Sequence, residues 1–404
     1  MSTGQFKPKI AKKPAEFDAS HQNRQAGVKR VLGIETSCDE TSASVVELKD
    51  GVFTLCSNVV RSSIDLHVVY GGVVPEIAAR SHIEHIMPVI NKALNDALLD
   101  KSSKIKEKSN EQNLSTSSDL WDEIDAIAVT YGPGLGGSLL VGVTTARTLA
   151  MTKNKPLYAV NHVLAHPLAT FIAQTRVEGY NLPKNVPEFP MLALIVSGGH
   201  SQFVLFQSAF DYQILGKTRD DAIGEAYDKV AKILGLPYPG GPSIEKFSVN
   251  GDSNKYKLPK SKLENPYDFS FSGLKTAVLR LAQAEIGADY SFPSKDLAGK
   301  LSEMQKVDIA ASFQKIATET VVEKTLFAYQ QYMPKSVVIA GGVAASPELR
   351  RQLAEALPTY PTYTDIKLCT DNGAMIAVAG CMMIEAEIPA SDPYYLEINP
   401  DLSM

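Results

Sequence analysis

Apolar and polar positions along this 404-residue chain switch repeatedly between a two-residue and a roughly four-residue repeat, the order expected of an α/β protein. "RVLGIETS" (30–37) and "SASVVEL" (42–48) read as a strand pair, and residues 75–98 as an amphipathic helix. "IDAIAVTYG" (124–132) reads as a buried strand; it runs into "GPGLGGSLLVGVTTARTLA", a glycine-rich turn feeding a long helix, then strand "PLYAV" and a helix beginning near His162. The layout then restarts. "MLALIVSGGHSQFVLF" (191–206) is again strand, polar glycine turn, strand, matching "VLGIETSCDETSASVVEL". This implies either a duplicated lobe with a cleft between the copies or two unrelated hairpins in one α/β chain. "DDAIGEAYDKVAKILGL" (220–236) predicts an N-capped helix, and "PYPGGPS" (237–243) a rigid loop. "SVVIAGGVAAS" (336–346) predicts a buried strand ending at a glycine pair, and "CTDNGAMIAVAG" (369–380) an apolar helix with Asp371 as its N-cap.

Length changes the picture by exceeding the ~100–200 residues of one domain, so two lobes are expected. The expected divisions are a disordered basic tail at 1–29, an N-terminal lobe at 30–165 with a low-complexity surface insertion at 100–118, a C-terminal lobe at 166–335, and strand and helices at 336–404 that close the cleft and return to the first lobe. The tail carries Lys7, Lys9, Lys12, Lys13, Arg24 and Lys29 against Glu16 and Asp18, a balance that an organelle transit peptide also approaches. A formal net charge of -5 gives no global attraction to phosphate, so any nucleic-acid surface is a local patch. Four cysteines without a CxxC pair exclude a disulfide framework, and no apolar run is long enough to span a bilayer. A soluble, cytoplasmic protein without a membrane partner is expected.

The candidate chemistry sits at strand ends and helix starts, the edges that line ligand crevices in open α/β folds. In "HVLAH", a helix would place His162 and His166 on one face, either as a polar surface or as two ligands of one divalent ion. Asp371 supplies a third candidate, and a two-His-one-carboxylate set suits iron or another transition metal with open positions. A metalloprotease needs HExxH, but Val163 occupies the position of its base. His82 and His85 in "HIEH" read as a solvated or partner-facing surface, and His200 in "SGGHSQ" as either ligand-adjacent or part of a turn. "GIETSCDET" gathers Glu35, Asp39 and Glu40, either as turn chemistry or as general base and outer ligands of a metal. Asp228 suits either a ribose hydroxyl or a helix salt bridge. "NPYDFSFSGLKTAVLRLA" (265–282) interleaves aromatics with Lys275 and Arg280, for base stacking or for a packed strand-to-helix joint.

Taken together, "VLGIETSCDETSASVV", "YGGVVPEIAARSHI", "VTYGPGLGGSLLVG", "NHVLAH", "LIVSGGHSQFV", "DDAIGEAYDKVAKILGLPYPGGP", "DFSFSGLKTA", "AGGVAAS" and "CTDNGAMIA" resemble the TsaD family, also called Gcp and formerly regarded as O-sialoglycoprotein endopeptidases. The resemblance implies a two-lobed fold of the actin, sugar kinase and Hsp70 type around a central cleft. It implies transfer of L-threonylcarbamoyl from threonylcarbamoyl-AMP to the exocyclic amine of the adenosine beside the anticodon, in tRNAs that read codons starting with A. Its metal ligands fall on His162, His166 and Asp371, with iron expected and zinc a substitute. Its substrate positions fall on Ile195, Val196, Ser197, Gly198, Gly199, Asp228 and Gly241, and on Glu245 and Ser346, where many members have Asp and Asn. Those two departures imply weakened or rearranged nucleotide contacts. Glu40 or Asp39 is the expected base for the attacking amine. Implied partners are tRNA, a TsaB-like paralogue docking on the 75–98 helix through Ile86 and Ile90, a TsaE-like ATPase and an upstream synthase. The alternatives are a metallo-endopeptidase and a non-catalytic nucleotide-binding scaffold.

Overall fold

The first hairpin forms where the alternation places it. β1 (Val28–Glu35) pairs antiparallel with β2 (Glu40–Lys49), and β2 with β3 (Val52–Ser62). The helix α1 (Pro75–Leu98) packs on β2 and β3 through Ile86, Val89, Ile90, Ala93 and Leu94. On the other side of β1, β4 (Ala126–Gly132) adds in parallel, α2 (Gly136–Lys153) follows the glycine-rich turn, and β5 (Leu157–Asn161) adds in parallel to β4. The short α3 (His162–Leu168) then leads to β6 (Ile172–Thr175), which joins the far edge in parallel with β3. The sheet order is β5-β4-β1-β2-β3-β6.

A second sheet repeats the plan. β7 (Met191–Val196), β8 (Ser201–Phe206) and β9 (Tyr212–Lys217) are antiparallel neighbours, while β10 (Ser336–Ala340) and β11 (Thr362–Tyr363) add in parallel beyond β7. Its order is β11-β10-β7-β8-β9. Counted within each half, and apart from β6 added at the edge of the first, both sheets read third, second, first, fourth, fifth, which is the duplication that the two hairpins suggested. The helices of this half are α4 (Ile223–Leu234), α5 (Gly240–Ser248), α6 (Ser272–Glu285), α7 (Glu303–Tyr332) and α8 (Pro347–Ala356).

The structure is a computed structural model that describes residues 27–98 and 117–404. The expected tail thus lies outside the described residues up to position 26, with Val28 and Lys29 already in β1, and the expected insertion lies outside them up to position 116. The described residues divide into one unit of 27–67, 73–98, 117–186 and 364–404 and another of 68–72 and 187–363. These units do not divide at 165/166 and 335/336, because β6 is tied to β3, β10 to β7 and β11 to β10. Two local expectations also change. Residues 237–243 do not form a loop throughout, since α5 starts at Gly240. The start of α4 has Ala222 at its cap and no side-chain cap; Asp220 instead accepts from the backbone N–H of Phe271 and Ser272 at the start of α6.

What orders the first unit is α9 (Gly373–Glu385), apolar around almost its whole circumference and buried from Gly373 to Met383. It lies on β1 and β2 with backbone against backbone: a Cβ on Gly33 would stand 2.2 Å from the Gly373 carbonyl oxygen and 2.4 Å from the Ala377 nitrogen. Neither neighbour is a flexible side-chain end, so the contact cannot relax cheaply. Gly33→Ala is expected to destabilise the first unit by about 1–3 kcal/mol or more; a denaturant midpoint equal to that of the parent would contradict this packing.

Candidate metal centre

The residue before α3 sets the site's first feature. Asn161 is the N-cap, its Oδ1 accepting from the N–H of Val163 at 2.9 Å and of Leu164 at 3.1 Å. This helix start turns His162 and His166 to the same side, with ring centroids 4.8 Å apart and edge to face. Asp371 comes from the segment ahead of α9. The N-cap expected at Asp371 is instead Asn372, whose Oδ1 accepts from the Met375 N–H at 3.1 Å and whose Nδ2 donates to the Thr370 carbonyl at 2.7 Å. Relieved of capping, Asp371 brings Oδ1 to 3.5 Å from His162 Nε2 and 3.4 Å from His166 Nε2. Three ligands on a small divalent ion with ~2.1 Å bonds sit roughly this far apart.

The donors fit such an ion. His166 Nε2 is buried and makes no hydrogen bond despite its nearness to Asp371, an orphan that a cation would satisfy. Behind His162, Nδ1 lies 3.0 Å from Glu35 Oε2 and 3.1 Å from Ser37 Oγ. Glu35 is fully buried and is held by Thr130 Oγ1 and the Ser37 N–H. An acceptor there keeps the proton on Nδ1 and leaves Nε2 to face Asp371. Among the described residues, His162, His166 and Asp371 form a group able to hold a metal, with donor atoms all within 4.8 Å of one another. Two imidazoles and a carboxylate suit iron or zinc. Val163, where a metalloprotease base would stand, is buried in the core.

Electrostatics reinforce the geometry. Burial alone would lower His162, but Asp371 and Glu35 outweigh it and push it up to about 9. Burial likewise raises Glu35, yet His162 more than compensates and holds it below the ordinary carboxylate range. Glu40 is pushed well above that range by burial, then by Asp371 and Asp39. Asp39 is buried, and its carbonyl accepts from the N–H and Oγ of Ser63. His82 corrects the surface expectation: it is fully buried, pairs with Thr41 Oγ1 at 2.8 Å and donates from Nε2 to the Cys38 carbonyl at 2.9 Å, bracing the turn that carries Asp39 and Glu40. Glu35 is the residue whose orienting role the sequence left open, since its partner His162 lies far along the chain.

The other unit gathers the remaining candidates. Ser197 to His200 form a tight turn, with the Ser197 N–H donating to the His200 carbonyl and the His200 N–H to Ser197 Oγ. Gly198 and Gly199 are exposed, and a Cβ on either, or on Gly241, would meet nothing within 4 Å. Ile195 and Val196 are fully buried within β7, paired with Gln202 and Ser201 of β8. Asp228 Oδ1 accepts from the Gly240 N–H at 2.7 Å, tying α4 to the start of α5. Glu245 Oε1 accepts from Ser346 Oγ at 3.1 Å and from the Glu348 N–H at 3.3 Å, while Ser346 caps α8. The two positions that depart from the common pattern therefore bind each other. In the 265–282 segment Phe269 and Phe271 are core residues, which supports the packed joint over base stacking.

His162 has a folded pKa above its unfolded value, so its proton stabilises the metal-free protein fully below about pH 6.5 and ceases to do so as pH rises through about 9. A divalent ion must displace that proton. Affinity for zinc is expected to rise by up to about tenfold per pH unit between about 6.5 and 9, then level off. Calorimetry at pH 7 in buffers of different ionisation enthalpy checks this, with about one proton released per ion expected; a pH-independent affinity would count against it.

A family model described as TsaD, tRNA N6-adenosine threonylcarbamoyltransferase, matches residues 54–378. The tRNA N6-adenosine threonylcarbamoyltransferase of Thermomicrobium roseum is 44% identical over 367 residues, covering 89% of this chain and 93% of its own. That of Brucella abortus is 44% identical over 384 residues, with 92% and 93% covered. Among solved structures, T. kodakarensis HypF superposes with a TM-score of 0.54 at 13% identity over 89% of this chain and 48% of its own, a likeness of fold. The duplicated α/β sheets are those of the actin and sugar-kinase class. Matched over most of its length, the chain belongs to the TsaD family of tRNA N6-adenosine threonylcarbamoyltransferases.

Proposed function

We propose that this protein moves the L-threonylcarbamoyl group from threonylcarbamoyl-AMP to the exocyclic amine of the adenosine beside the anticodon, in tRNAs that read codons starting with A, with AMP as the leaving group. The observation that carries the site assignment is the buried His162–His166–Asp371 triad with its orphaned His166 nitrogen. A divalent ion there, iron or zinc, would supply positive charge against a phosphate and offset the charge of Asp371. Glu35 and Ser37 hold the His162 ring in position. Nucleotide contacts are assigned to the N–H groups of Gly198 and Gly199, and to Ile195, Val196, Ser197, Asp228, Gly241, Glu245 and Ser346. Open space at Gly198, Gly199 and Gly241 supports this. Glu245 and Ser346 reach a ligand as a hydrogen-bonded pair.

Proton handling at the attacking amine is assigned to Glu40, with Asp39 beside it. Burial next to Asp371 raises Glu40, so charge compensation at the triad favours its carboxylate form and hence its action as a base. The endopeptidase reading lacks a base at Val163, and a scaffold has no use for a three-ligand cluster.

The partner surface is revised. Ile86 and Ile90 are buried in the core, so charges there would unfold α1 instead of probing an interface. Exposed on α1 are Ile83 at 67% and Met87 at 41%, and Leu140 on α2 is 55% exposed. This apolar set is assigned to the TsaB-like paralogue; a TsaE-like ATPase and an upstream synthase complete the proposed pathway.

Reconstitution with threonine, bicarbonate, ATP, synthase, partners and unmodified tRNA, followed by mass spectrometry of the nucleosides, tests the reading. His162→Ala with His166→Ala is expected to lower product formation by about 100-fold or more, and Glu40→Gln by about 100-fold at saturating substrate. Product at the parental rate without the triad would reject it as the site. Ile83→Lys with Met87→Glu is expected to abolish co-purification of the paralogue while leaving the melting temperature near that of the parent; an intact complex would remove that surface.

A further inference from the structure

Residues 386–404 run back from α9 over the first unit, and they are anchored well before their end. The Ser391 N–H donates to the Leu157 carbonyl at 2.7 Å. The Arg147 guanidinium on α2 donates to three carbonyls of this segment: Nε to Pro393 at 2.5 Å, Nη2 to Tyr394 at 2.9 Å and Nη1 to Leu396 at 3.2 Å. Leu396 and Ile398 pack against the core of the unit. Residues 399–403 then go on to meet the two chain segments that hold His162.

One route runs through the glycine-rich turn. The Asn399 N–H donates to the Tyr131 carbonyl at 2.8 Å, and the Gly134 N–H donates to the Pro400 carbonyl at 3.2 Å. The approach is so close that a Cβ on Gly132 would stand 1.9 Å from the Asn399 oxygen. From the same turn the Leu135 N–H donates to the Ser37 carbonyl at 2.7 Å, and Ser37 Oγ lies 3.1 Å from His162 Nδ1. The other route runs through the helix cap. Asn161 Nδ2 donates to the Ser403 carbonyl at 3.4 Å, while its Oδ1 holds the first turn of α3. Both routes end on His162.

We propose that residues 399–403 are a backbone strap that positions His162 as a metal ligand, with Asn161 as the positioning residue that links strap and helix. The inference rests on the triad being a metal site. Its contacts on the strap side are carbonyls and N–H groups, so they constrain the path of the chain and not its composition. A ligand held from two sides keeps its geometry without a metal, and losing such outer support typically lowers metal affinity by about 10–100-fold.

Cobalt(II) titration followed by visible absorption tests this on four proteins: the parent, a chain ending at Ile398, Asn161→Ser, and His166→Ala. The shortened chain keeps the Arg147 anchor and the core contacts; Asn161→Ser keeps an oxygen able to cap the helix, adds no charge beside His162 and loses the donor to Ser403. Both are expected to bind cobalt about 10–100-fold more weakly than the parent, with a changed ligand-field band, while the metal-free proteins melt close to it. Parental affinity in the shortened chain overturns the strap, and if that chain does not fold, parental affinity in Asn161→Ser does so. A parent that binds no cobalt, or a His166→Ala protein that binds as tightly, instead rejects the metal reading and takes the strap with it.

Discussion

Everything at the candidate centre depends on how closely α9 lies against β1. The face of β1 toward that helix presents Val31, Gly33 and Glu35, every second residue of the strand. A Cβ on Gly380 would stand 3.0 Å from Val31 Cγ1, and Gly33 meets the backbone of Gly373 and Ala377. Glu35 is the next residue of that face, at the end where α9 begins. The register of one helix on one strand therefore fixes Asp371 and Glu35 together, on either side of the His162 ring. Glycine is required at Gly33 because any side chain would lift the helix and carry Asp371 away from the histidines.

The same packing concentrates acid. Glu35, Asp39, Glu40 and Asp371 gather around two histidines, and Glu35 is fully shielded from water. Buried carboxylates need compensation, since desolvation of an uncompensated charge costs several kcal/mol or more. The His162 proton and the Thr130 hydroxyl supply part of it, and burial beside Asp371 and Asp39 raises Glu40 above the ordinary carboxylate range. A divalent cation bound by His162, His166 and Asp371 would supply further compensation. The histidine tautomer is set for it in advance by Glu35, so the cost of organising the ligands is met largely within the fold.

Duplication has produced two sheets of one order with different chemistry at equivalent turns. Between β1 and β2 the turn carries Ser37, Cys38 and Asp39, which are pinned by His82, by Ser63 and by the glycine-rich segment before α2. Between β7 and β8 the turn carries Ser197, Gly198, Gly199 and His200, closed on itself and with its glycines exposed. The first turn braces His162 through Ser37, and the second exposes Gly198 and Gly199 at its tip.

Strand and helix order, the repeated hairpin and the spacing of His162 and His166 were legible in the sequence, because local periodicity and a helical pitch decide them. Asp371 was legible as a third ligand candidate, but not its release from capping by Asn372, which turns on a single residue of cap geometry. Burial of His82, Ile86 and Ile90 was misread, since a helix of this composition offers two faces and only its neighbours choose between them. Glu35, the Ser346–Glu245 pair and the backbone contacts of residues 399–403 join positions more than a hundred residues apart. The sequence by itself determined the elements and the donor atoms. Their convergence was decided only by tertiary packing, because close approach of backbone to backbone leaves no mark on the local pattern beyond an isolated glycine.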